Sequence, residues 1–69
     1  MYCFFGLPSH WIYVVYKDGH SMNVENADGL TRAEAVELAT RWHGYKGHGD
    51  VVAVRYCDSR DNVLKTYEI

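Results

Sequence analysis

Residues 30–44 restrict the fold more than any other stretch, because both ends of a helix are written into them. Thr31 and Glu34 match the S/T-x-x-E capping box, in which each side chain satisfies an orphan backbone N–H at a helix start. Gly44 stands where a left-handed residue closes a helix. Between them Ala35, Leu38, Ala39 and Trp42 recur at three and four residues and share one face, with Val36 at its border. Glu34, Glu37, Thr40 and Arg41 point away, and Glu37–Arg41 is a well-oriented i,i+4 pair. Such a helix must lay its Ala/Leu/Trp face on something, and the rest of the chain is expected to supply a sheet.

Residues 10–17, His-Trp-Ile-Tyr-Val-Val-Tyr-Lys, are aromatic and β-branched without a breaker and read as a strand. Trp11, Tyr13 and Val15 fall on one face and Ile12, Val14 and Tyr16 on the other. Both sets are apolar, as in a central strand. Asp18-Gly19 is a strong hairpin signal. The return, residues 20–25, puts Met22 and Val24 on one side only and reads as a half-exposed edge. After the helix, Gly44, Gly47 and Gly49 mark a mobile or tightly turned loop. Residues 51–57 form a strand that strict alternation divides into Val52, Val54, Tyr56 and Val51, Ala53, Arg55, Cys57. Residues 58–62 are a polar turn. In residues 63–69, Val63, Tyr67 and Ile69 are expected on one face and Leu64, Thr66 and Glu68 on the other. Residues 2–7, apolar and ended by Pro8, suit a short strand or an arm under the sheet. The predicted fold is α+β, β-β-α-β-β: a mainly antiparallel four-stranded sheet with one helix on one face, in a single domain of 69 residues. Strand order stays open, with a right-handed crossover favoured where strands run parallel.

One helix covers one sheet face. Two Trp, six Tyr and two Phe are many for this length, so the second face is expected to carry several of Trp11, Tyr13, Tyr16, Tyr56 and Tyr67. An uncovered aromatic face points to a partner, a dimer or coverage by the N-terminal arm.

Charge removes other classes. A net charge of −2 gives no bulk attraction to nucleic acid or anionic lipid. No apolar run reaches the roughly 18 residues of a membrane span, and the N-terminus lacks the basic region of a signal peptide. A cytoplasmic location is expected, and the initial Met suggests a whole gene product. In a reducing compartment Cys3 and Cys57 are expected as thiols instead of a disulfide.

The histidines are candidate metal ligands. His43 and His48 are five apart, with His10, His20, Cys3 and Cys57 elsewhere, but no C-x-x-C accompanies them. The expectation is four solvated histidines, no metal and no cofactor. Neither cysteine sits in an activating context, and no carboxylate pair, nucleophile elbow or Rossmann fingerprint is visible, so an enzyme is not expected. The glycine loop follows a helix instead of preceding one and lacks the P-loop pattern. Arg41, His43, Lys46 and His48 form a local basic patch, and an aromatic sheet face could stack bases, but no RNP1-like pattern is present. A small nucleic-acid-binding regulator is therefore the second reading. Acidic residues are scattered among basic ones, unlike a DNA mimic.

In outline, the Asp18-Gly19 hairpin, the helix from Thr31 to Gly44 and the two C-terminal strands resemble small phage-encoded proteins that block host machinery, such as anti-CRISPR proteins and phage inhibitors of bacterial RNA polymerase. The resemblance implies a non-enzymatic protein-binding module. It would act by occlusion on a larger host complex, in the host cytoplasm, as a monomer or homodimer. Tyr, Trp and Arg dominate interface hot spots, and Tyr13, Tyr16, Tyr45, Lys46 and Tyr56 are the residues expected to contact the partner.

Overall fold

The computed structural model describes residues 10–69, so the expected N-terminal strand or arm lies outside the described residues. The element order is β1 (His10–Tyr16), β2 (Ser21–Asn26), α1 (Arg32–Trp42), β3 (Val51–Asp58) and β4 (Val63–Glu68), with two consecutive hydrogen-bonded turns, Gly44–Gly47 and Tyr45–His48, between α1 and β3. The α+β expectation holds: four antiparallel strands form one sheet in the order β2-β1-β3-β4.

The helix begins as its capping box requires. Thr31 Oγ1 accepts the Glu34 N–H at 3.2 Å, and Glu34 Oε1 accepts the Thr31 N–H at 2.9 Å. Trp42 is its last residue, His43 turns extended, and Gly44 follows at φ 74. The Gly44 N–H bonds forward to the Gly49 carbonyl at 2.9 Å, so it closes the following loop. Ala35, Leu38 and Ala39 are buried against Ile12, Val14 and Tyr16 of β1, Val51 and Val54 of β3, and Tyr67 of β4. Two alanines on that face bring the helix close to the sheet. Tyr67 also donates its hydroxyl to the Leu30 carbonyl at 2.7 Å, which fixes the approach to the helix.

Both hairpins close with the same turn. The Gly19 N–H bonds to the Tyr16 carbonyl and the Tyr16 N–H to the His20 carbonyl. The Asp61 N–H bonds to the Asp58 carbonyl and the Asp58 N–H to the Asn62 carbonyl in the same pattern. Gly19 (φ 96) and Asp61 (φ 64) take the left-handed position of each turn. Asp18 does not share a positive φ, so Asp18-Gly19 forms a type I turn with a G1 bulge and not the two-residue I′ loop.

Strict alternation fails at three bulges. The β1–β3 register shifts between Val15 and Tyr16, so Tyr16 opposes Val51 and Val52 is the extra residue. Val51 therefore joins Val54 on the helix face at 6% exposure, while Val52 is 41% exposed. This corrects the expected pairing of Val52 with Val54. In β4 the extra residue is Leu64, which places Val63 opposite Cys57 on the far face and corrects its expected pairing with Tyr67. A third shift, between Ile12 and Tyr13, makes Val24 the extra residue of β2.

The aromatic residues divide unevenly between the two faces. Tyr16, Tyr56 and Tyr67 lie on the helix side, and only Trp11 and Tyr13 of the five lie on the other. Tyr16 is 1% exposed, and its buried hydroxyl has no hydrogen-bond partner among the described residues. Tyr16→Phe should therefore leave the urea unfolding free energy unchanged or raise it by up to about 1 kcal/mol. Tyr16→Ala should lower it by about 3–5 kcal/mol through the cavity it opens. Thr31→Ala should cost about 1 kcal/mol through the lost cap.

Candidate functional site

The sheet order decides which loops meet. β2 and β3 are each antiparallel to β1, so they run the same way with β1 between them. The helix carries the chain back along the sheet, and the loop of residues 43–50 arrives beside the β1–β2 turn. The Lys17 N–H donates to the Asp50 carbonyl at 2.8 Å and joins the two segments.

Side chains reinforce that joint. His20 Nδ1 lies 3.0 Å and His48 Nδ1 2.9 Å from the same oxygen, Asp18 Oδ2. Asp18 Oδ1 accepts the His20 backbone N–H at 3.0 Å. The His20 and His48 rings stack with centroids 4.5 Å apart, and the Tyr16 ring lies 5.0 Å from His48. The His20 backbone N–H, followed by the His48 and His20 side chains, holds the pKa of the Asp18 carboxyl down at about 2. His43 reaches Asp50 at 3.1 Å. His10 and His48 are half-buried, and His10 stacks on Tyr56 at 5.0 Å, so the expectation of four solvated histidines is corrected at these two.

On the outer side of the same loop, Tyr45 is 41% exposed. Its ring meets Trp42 edge-on at 4.7 Å, and the Lys46 ammonium lies 5.6 Å from its centroid. Lys46 has φ 54, a left-handed conformation that lysine rarely adopts.

Of the five expected contact residues, the structure brings Tyr45 and Lys46 together. Tyr13 lies on the far face and donates its hydroxyl to Asp61 at 3.1 Å. Tyr56 is half-buried on the helix side, and Tyr16 belongs to the core, where no partner can reach it. Three members of the basic patch already face carboxylates: Arg41 with Glu37 at 3.7 Å, His43 with Asp50, and His48 with Asp18. Burial raises the pKa of the Cys57 thiol and suppresses its nucleophilic thiolate. Cys3 lies outside the described residues. A depression beside Cys57, lined also by Tyr13, Arg55 and Asp61, measures about 230 Å³, smaller than the roughly 300 Å³ at which ligand pockets begin. Among the described residues no helix is long and apolar enough to cross a membrane.

Asp18 with His20 and His48 is the grouping that sequence reasoning missed. The available signal was Asp18 and His20 flanking the glycine of a turn; the partner, 30 residues from Asp18, follows only from the strand order. No protein-family model, curated protein or solved structure matches the chain.

The depressed Asp18 pKa sets a pH dependence. Its ordinary value is 3.8 and its folded value about 2, so its stabilising effect is complete above about pH 4 and lost as pH falls through about 2. Asp18→Asn should unfold at lower urea than the unsubstituted chain at neutral pH. That difference should close between about pH 4 and pH 2, as followed by circular dichroism.

Proposed function

We propose that the chain is a non-enzymatic protein-binding module that occludes a surface of a larger complex, with Tyr45 and Lys46 as its principal contacts. The observation that carries this reading is the strained backbone of Lys46 beside an exposed, braced tyrosine. A lysine in the left-handed region costs about 1–2 kcal/mol, and glycine would remove that cost. Backbone strain of this kind clusters at ligand clamps and switch regions. Trp42 holds the Tyr45 ring from one side and the Gly44–Gly49 hydrogen bond closes the loop behind it. Such preorganisation reduces the entropy lost on docking.

The nucleic-acid reading draws less support. The carboxylates facing Arg41, His43 and His48 offset the charge that phosphates would need, and only Trp11 and Tyr13 of the five aromatics share the face away from the helix.

Lys46→Gly should raise the unfolding free energy by up to about 1 kcal/mol while weakening partner binding. For the binding test, the tagged chain and its Tyr45→Ala/Lys46→Gly variant are incubated with bacterial lysate, with and without nuclease, and captured proteins are read by mass spectrometry. The expected result is one stoichiometric protein that survives nuclease and is lost with the double variant. Capture that nuclease abolishes would favour the nucleic-acid reading, and capture that the folded double variant retains would remove Tyr45 and Lys46 as the contacts.

A further inference from the structure

Asp18, His20 and His48 place three metal-ligating atoms within 4.8 Å of one another. We propose that these side chains bind one divalent transition-metal ion of the zinc type. Two imidazole nitrogens and one carboxylate oxygen suit zinc and its first-row neighbours, whereas calcium and magnesium prefer oxygen alone.

Both nitrogen-to-carboxylate separations are near those around a bound ion, and the third, between the two nitrogens, is within 4.8 Å. A tetrahedral site with bonds of about 2.0–2.1 Å separates its ligand atoms by roughly 3.3 Å. The two nitrogen-to-oxygen separations are 3.0 and 2.9 Å. The ligands are also oriented from behind. The His20 backbone N–H occupies Asp18 Oδ1 and leaves Oδ2 facing both rings, while Tyr16 flanks His48. Such outer contacts fix ligand direction. His20 is exposed and can adjust its ring, and a four-coordinate ion would take water as its fourth ligand. An ion entering here displaces whatever protons the coordinating nitrogens carry.

The ion would cross-link the β1–β2 turn to the loop that carries Tyr45 and Lys46. Metal binding does not depend on the protein-partner reading and is tested with the metal alone. Zinc chloride is titrated into the metal-stripped full chain by calorimetry at neutral pH, with cobalt absorption as a second probe. One ion should bind per chain, and the thermal unfolding midpoint should rise. His20→Ala and His48→Ala should each weaken binding by more than roughly tenfold, since even outer-shell changes can cost that much. His10→Ala, at the opposite end of β1, should leave it within about twofold, well short of the tenfold cost of disturbing a site, with circular dichroism confirming that each variant is folded. No saturable binding, or binding that folded His20→Ala and His48→Ala chains retain unchanged, would overturn the proposal.

Discussion

The antiparallel pairing of β1 with β3 supports everything else in this molecule. Val14 lies opposite Val54 at its centre, and both side chains are fully buried beneath the helix. Each hairpin contributes one strand to this pair and one to an edge. Two hairpins joined only by their turns would leave that central face in water. The short Ala35 and Ala39 side chains allow the helix to seal it, and the buried apolar surface is what offsets the chain entropy of ordering. The same pairing fixes the direction of the helical crossover and hence the meeting of residues 18 and 20 with residue 48.

Local chemistry was legible in the sequence; register was not. The capping box, the Gly44 terminus and the hairpin positions each depend on residues within a few places of one another. Thr31 and Glu34 do what their spacing implies. The bulges at Val24, Val52 and Leu64 depend on cross-strand partners, and nothing in a run of β-branched residues marks which one is extra. One inserted residue reverses the face of those beyond it. That is why Val51 and Val54, three apart, share the core.

The candidate site divides along the same line. Tyr45 and Lys46 could be read as loop residues because glycines surround them. Tyr16 could not be separated from Tyr13 by composition, since both faces of β1 are apolar. The Asp18–His48 contact spans 30 residues and needs the strand order. The basic patch was legible as sequence, but the carboxylates that face three of its members come from another turn of the helix and from both loops.

The two non-glycine residues in left-handed backbone differ in what surrounds them. Asp61 closes a turn, and aspartate tolerates that conformation better than most residues. Its carboxylate also accepts the Tyr13 hydroxyl, a bond that comes first among the causes raising the tyrosine pKa. The β3–β4 turn thus converts its unusual backbone into a tie across the sheet. Lys46 closes no strand pair among the described residues, and its ammonium lies over the ring of its neighbour Tyr45. Its conformation aims an exposed lysine and tyrosine outward from a loop whose other side is tied to the β1–β2 turn. The same physical feature, a positive φ, therefore closes a strand pair at one end of the sheet and lies within two consecutive hydrogen-bonded turns, Gly44–Gly47 and Tyr45–His48, at the other.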